Sequence, residues 1–218
     1  ILGGNVTVSL KIIHFIVYLI SALMMYKLVN SIFKNKFVAL ISAIFYITFP
    51  YSITEVFSRD ALAESFIFMF MPMVLLALYE LFNGDKKKFY LWFVVGYVGL
   101  INSHLVLAVY FTILVMIYLF IKLKKVFTKD NLKALIISSV IILLIVSPFI
   151  VPMLQHKMLK IYEVFEGESM SNRGTIISSS LRIGEFFVQK PSDRFSNITY
   201  YMNLLALVMV GITIILHK

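Results

Sequence analysis

Residues 89–121 read FYLWFVVGYVGLINSHLVLAVYFTILVMIYLFI, a long apolar stretch broken near its middle by Asn102, Ser103 and His104. As one straight helix it would run about 50 Å, against a hydrocarbon core of roughly 30 Å. Lys86, Lys87 and Lys88 precede it, and Lys122, Lys124 and Lys125 follow it. Lysine-rich flanks favour the cytoplasmic side, so both ends belong there and the chain turns back at 102–104. Each arm is then about 20–25 Å, which sets the turn at or slightly below the outer surface. Polar residues at that depth are tolerated where they line a protein or water-filled cavity. This stretch therefore predicts a short-armed transmembrane hairpin inside an all-α fold.

The composition agrees. Hydrophobic residues make up 61% of the chain and charged residues 14%, with a mean hydropathy of +0.93. Soluble domains average roughly 45–50% apolar and about 25% charged, so the chain is an integral membrane protein. It has no Cys, which excludes disulfides and thiolate metal sites. The net charge of +9 does not point to nucleic acid, because the lysines sit in short loops between apolar runs and leave no basic stripe.

Outward from the hairpin, candidate spans lie at 8–28, 37–51, 62–82, 132–151 and 200–216, for about seven crossings in all. Pro50 closes the second, and Pro148 and Pro152 lie near the outer end of 132–151. Loops 29–36, 83–88 and 122–131 are rich in lysine and face the cytoplasm. Residues 1–8, the 59–64 stretch, the Ser103-His104 turn and the segment 154–196 then face outside. Three regions follow: a transmembrane helical core with an outward-facing polar cavity (1–153), an extracytoplasmic amphipathic segment (154–196) and a final transmembrane helix (197–218). The sequence starts at Ile1, shows no signal-peptide pattern and ends directly after an apolar run. It is expected to be part of a longer multi-pass protein.

Residues 58–65, SRDALAES, place Arg59, Asp60 and Glu64 beside hydrocarbon on both sides. Such charges are expensive and mark functional sites. If a helix starts at Ser58, Asp60 and Glu64 share one face. A carboxylate there can act as a base or metal ligand, and the planar fork of Arg59 matches a phosphate. A plainer reading makes Ser58 an N-cap and Asp60 a partner of the helix dipole. That accounts for Glu64 less well, since it would lie a turn deeper. His104 suits a proton carrier or a donor to a phosphate, or else a turn residue bonding backbone. His14 reads as packing within a helix, and His156 and His217 as interfacial. The nearly balanced charges of 154–196 suggest short amphipathic helices on the outer surface. Arg173 and Arg182 there are candidate phosphate contacts. The sequons at Asn5 and Asn197 are weak signals. No Walker A, GxGxxG, HExxH or serine-hydrolase motif occurs, and there is no internal repeat.

Arg59-Asp60-Ala61-Leu62-Ala63-Glu64, then residues 71–78 (MPMVLLAL), then Ser103-His104 form a set that resembles large prokaryotic YfhO-like membrane proteins. Some of these carry a label related to pyruvoyl-tetrahydropterin synthase. They in turn resemble the GT-C glycosyltransferase superfamily. The similarity covers about residues 8–125. Gly is frequent in that family where Asp60 stands, and Asn where Leu105 stands, so the match rests on Arg59, Glu64 and His104. The resemblance implies transfer of a sugar from a polyprenyl phosphate or diphosphate carrier to an extracytoplasmic acceptor such as a cell-envelope polymer, at a bacterial plasma membrane. It implies donor-phosphate binding by Arg59 and His104, with Glu64, His104 and Asp60 as catalytic candidates. The main catalytic carboxylate is expected in an external loop upstream of Ile1. No cofactor is expected from these residues, though a divalent metal is possible in the full-length protein. The partners implied are membrane lipids, the lipid-linked donor and the glycan acceptor. Alternatives are a lipid-linked saccharide transporter, which would grip the same phosphate without chemistry, and a structural envelope-assembly subunit.

The hairpin reading predicts that Ser103→Cys, the only cysteine in that variant, labels with an impermeant maleimide added outside intact cells. Labelling from the cytoplasmic side alone would reverse the topology.

Overall fold

The computed structural model describes residues 6–53, 55–56 and 61–159. The expected final helix and almost all of the 154–196 segment lie outside the described residues. The described elements are all helices: α1 (Val6–Phe33), α2 (Lys36–Ile47), α3 (Pro50–Ile53), α4 (Leu62–Asn83), α5 (Lys86–Ser103), α6 (Leu105–Ile121), α7 (Leu123–Val126) and α8 (Lys129–Met158). The fold is all-α, as the composition and the 89–121 stretch require.

Local chemistry sets the helix ends. Lys34 takes a positive φ of 54°, and its N–H bonds back to the Asn30 carbonyl at 2.9 Å. Asn35 then caps α2, its side chain accepting from the N–H groups of Phe37 and Val38. Asp85 caps α5 by accepting from Lys87 N–H at 2.8 Å. The break in the 89–121 stretch falls at His104, which is extended (φ −156°, ψ 100°) between α5 and α6.

The hairpin does turn back. Lys86, at the start of α5, bonds the side chain of Asn131, and Asn131 donates to the carbonyl of Lys125, just past α6. The start of α5 and the end of α6 therefore share one end of the bundle. Lys27 over the Trp92 ring (5.2 Å) and Lys34 over the Tyr79 ring (5.8 Å) bring α1, α4 and α5 to that same lysine-rich end.

Among the described residues, three helices are long and apolar enough to cross a membrane: Val6–Phe33, Leu62–Asn83 and Lys129–His156. The helix in the expected 37–51 span is shorter. α2 has 12 residues, about 18 Å at 1.5 Å per residue, well short of a roughly 30 Å core. It stops at Ile47, where Thr48 bonds the Ile44 carbonyl with both its N–H and its hydroxyl, and α3 follows. A helix starting at the lysine end thus leaves α3 below the far ends of its neighbours.

α4 is central, packed between α1 and α5; α5 also packs on α8, and α2 on α1. α4 buries Ile67, Val74, Ala77, Leu78 and Leu81, and α5 answers with Phe89, Phe93, Tyr97 and Leu100. Phe89, Phe93 and Tyr97, one turn apart, form a ring column with centroids 5.0 and 4.8 Å apart. The two helices approach closely because α5 offers Gly96 and Gly99. A Cβ at Gly99 would lie 2.2 Å from the Phe70 ring, and one at Gly96 3.2 Å from the Val74 backbone nitrogen. Small residues replace a hydrophobic driving force where lipid is the solvent.

Proline inside α4 is accommodated by a specific bond. Pro72 has no N–H, so the carbonyl of Phe68 one turn earlier loses its helical donor. The Tyr46 hydroxyl of α2 donates to that carbonyl at 2.8 Å. Ser147 does the same in α8, donating at 2.8 Å to the Leu144 carbonyl that Pro148 leaves without its helical donor.

Tyr46→Phe is expected to strand the Phe68 carbonyl and cost about 1–2 kcal/mol. The thermal midpoint of the detergent-solubilised protein measures it. An unchanged midpoint would mean that the hydroxyl contributes nothing to α2–α4 packing.

Candidate active site at the end opposite the lysines

α4 begins at Leu62 with Ala61 at the N-cap position, not at Ser58. Ser58 is therefore not the N-cap of α4, and both Ser58 and Asp60 lie outside the described residues. This start also moves Glu64 into the first helical turn, where the helix dipole favours a carboxylate. A glutamate three residues past the N-cap often bonds back to the N-cap N–H. Here the Ala61 N–H is taken by the Glu55 carbonyl at 2.8 Å. The Glu64 side chain is directed to other partners.

Two partners are on view. The Tyr51 hydroxyl of α3 donates to Glu64 Oε2 at 3.2 Å. His104 Nε2 stands 4.0 Å from Glu64 Oε1. That gap is too long for a hydrogen bond and short enough for a bridging oxygen or a small rotation to close it. The side chains are 32% exposed for His104 and 17% for Glu64, so the pair is recessed but reachable.

The ring orientation of His104 comes from the backbone. Its N–H donates to the Leu100 carbonyl and its carbonyl accepts from Ala108 N–H, so it closes α5 and opens α6. Its Nδ1 accepts from Leu107 N–H at 3.4 Å, a long cap bond. In the neutral ring the proton then sits on Nε2, the atom facing Glu64. The backbone-bonding reading of His104 holds at the helix break, and its Nε2 faces the Glu64 carboxylate. The other polar turn residues do not reach the site. Ser103 Oγ donates to the Gly99 carbonyl and Asn102 to that of Val98, both within α5.

Behind Glu64 the wall is aromatic and polar. Phe68, one turn along α4, meets the rings of Tyr51 and Tyr46 edge-on, with centroids 6.0 and 6.2 Å away. Tyr51 is thereby held against Phe68 while its hydroxyl reaches Glu64. The neighbouring residue Ser52 is tied to α1: Tyr18 donates to the Ser52 carbonyl at 2.8 Å, and the Ser52 hydroxyl donates to Tyr18 Oη at 3.1 Å. His14, one turn from Tyr18, is buried, in keeping with its packing role.

Glu55 is not among the residues singled out from the sequence. It is 0% exposed and lies in the link whose carbonyl holds the N-cap of α4. A carboxylate in an apolar run near membrane depth is itself a functional signal; the sequence ITEVF carried it. Tyr18, Tyr51 and Ser52 had no such signal.

Of the residues singled out, the structure brings Glu64 and His104 together. Arg59, Asp60, Arg173 and Arg182 lie outside the described residues. Among the described residues no three His, Asp or Glu side chains converge, so no metal-holding set is assigned.

These helices define a multi-pass membrane protein in which Glu64 and His104 approach each other at the end away from its lysine-rich loops. A family model described as dolichyl-phosphate-mannose-protein mannosyltransferase matches residues 1–151, and the chain belongs to that family. It is thus a membrane glycosyltransferase of the GT-C type. No curated protein and no solved structure matches the chain.

The site geometry predicts that Glu64→Cys with His104→Cys, in this otherwise cysteine-free chain, is joined by a short bis-methanethiosulfonate linker. The link should survive proteolytic cleavage in the 83–88 loop on a non-reducing gel. Separation of the two fragments would mean that α4 and the α5–α6 break do not meet.

Proposed function

We propose that this protein transfers a sugar from a polyprenyl phosphate or diphosphate carrier to an extracytoplasmic acceptor such as a cell-envelope polymer. The observation that carries this reading is the Glu64–His104 pair, recessed at the end of the bundle opposite the lysines. The positive-inside rule assigns the lysine end to the cytoplasm and the pair to the outer side, the face on which the donor sugar is used. The description of the matched family, which names a lipid phosphate as sugar carrier, supports the donor class. The YfhO-like pattern supports a bacterial plasma membrane and a cell-envelope product.

In this reading Arg59, five positions before Glu64, grips the donor phosphate, with His104 Nε2–H donating to a phosphate oxygen. Arg173 and Arg182 supply further contacts to the donor phosphate, and Asp60 stands beside Glu64 as a second catalytic carboxylate. The acceptor hydroxyl attacks C1 of the sugar. The C1–O bond to phosphate breaks, and the lipid phosphate leaves with the electron pair. Glu64 takes the hydroxyl proton through Oε1, while Tyr51 holds Oε2 and keeps the carboxylate from turning. Neutralising the leaving phosphate and removing the proton in one recess are the two tasks this residue set can perform.

The test is transfer from a synthetic polyprenyl-phosphate sugar by full-length protein in liposomes. Glu64→Gln is expected to lower kcat by about a hundredfold or more with donor binding retained, and His104→Gln to lower kcat similarly while also weakening donor binding. Turnover at the parental rate in both variants would refute the site. Donor binding and translocation by the parental protein, with no transfer, would favour the transporter reading instead.

A further inference from the structure

The lysine-rich end carries a feature that the acid–base site does not use. Between α6 and α8 the chain makes an elbow around α7, and residues 122–133 hold Lys122, Lys124, Lys125, Lys129 and Lys133 against Asp130 alone. All five lysines are exposed. Beside them Phe120, Ile121 and Phe127 are 74%, 71% and 67% exposed. The positive-inside rule asks for basic residues in such a loop. It does not ask for bare aromatic rings beside them, nor for a rigid backbone beneath them.

The backbone is rigid. Lys122 N–H bonds the carbonyls of Tyr118 and Leu119, while Val126 N–H bonds Lys122 and Phe127 N–H bonds Leu123. The Lys125 carbonyl accepts from Asn131 Nδ2 at 2.7 Å and from the Thr128 hydroxyl at 3.2 Å. Asn131 is in turn bonded by Lys86, whose ammonium also donates to the Leu81 carbonyl at the end of α4. The elbow is pinned to the α4–α5 turn, and its lysines project from a fixed frame.

We propose that the α6–α7–α8 elbow binds the headgroup of an anionic phospholipid in the leaflet at the lysine end. Phe120, Ile121 and Phe127 sit among the upper acyl chains, and Lys122, Lys124 and Lys125 meet the headgroup phosphate. Exposed Phe and Ile side chains beside lysines bury into the headgroup–acyl boundary, and lysine stems lie along apolar surface while their ammonium groups reach the phosphate level. Basic clusters directly beside a membrane helix attract acidic lipid. Charge selects the lipid. A zwitterionic headgroup brings its own cation toward five lysines and one aspartate; phosphatidylglycerol brings none.

The test places a single Trp in the elbow: Phe127→Trp in a Trp92→Phe background, since Trp92 is the only Trp in the chain. The full chain is reconstituted in phosphatidylcholine vesicles containing either brominated phosphatidylglycerol or brominated phosphatidylcholine. Quenching is expected to show a preference of about fivefold or more for phosphatidylglycerol. It should fall to near parity in Lys122→Gln/Lys124→Gln/Lys125→Gln, with quenching by brominated phosphatidylcholine unchanged as the sign that the elbow is still inserted. Equal quenching by the two lipids in the protein with its lysines intact would overturn the proposal. So would a preference that survives the triple substitution, or no quenching by either lipid.

Discussion

Hydrocarbon gives the backbone nothing to bond to, so every interruption of a helix must be satisfied from within the protein. The structure meets that demand at three interruptions with named side chains. Tyr46 bonds the Phe68 carbonyl that Pro72 leaves without its helical donor. Ser147 bonds the Leu144 carbonyl before Pro148. His104 serves the ends of α5 and α6 with its own N–H, carbonyl and ring nitrogen. Much of the chemistry follows from these repairs. The bond that makes His104 a helix cap is also the bond that turns its other nitrogen toward Glu64.

The shortness of α2 has the same kind of consequence. A helix that ends early leaves α3 to run beneath the far ends of α1 and α4. Tyr18 anchors it on one side and Glu64 meets it on the other. Polar side chains of α1, α3 and α4 thus meet there. Close packing of α4 on α5, made possible by Gly96 and Gly99, brings the Glu64 helix and the His104 break to the same place.

Much of the architecture could be read from the sequence because its strongest signals are one-dimensional. Lysines on both sides of 89–121, with a polar break between them, require a hairpin whatever the packing. The turn chemistry at Asn35 and Asp85 is equally local. The site was legible in part. Glu64 and His104 stand out as polar residues in apolar runs. Their 4.0 Å approach did not, since 40 positions separate them and only the α4–α5 interface brings them together. Of the two readings open for Ser58, the cap is not realised in α4, whose N-cap position is Ala61. The link there is held instead by the Glu55 carbonyl on Ala61.

The sequence by itself determined the membrane setting, the helical class and the end at which the lysines gather, because composition and charge placement act through the bilayer without reference to contacts. Tertiary structure alone decided which polar residues come together. Tyr18, Tyr51 and Ser52 are ordinary helix-end residues until the early stop of α2 sets them beside α1 and α4. Glu64 is an ordinary first-turn acid until Tyr51 and His104 approach it from two other helix ends. A contact among three helix ends depends on their relative depth and crossing, and packing sets both.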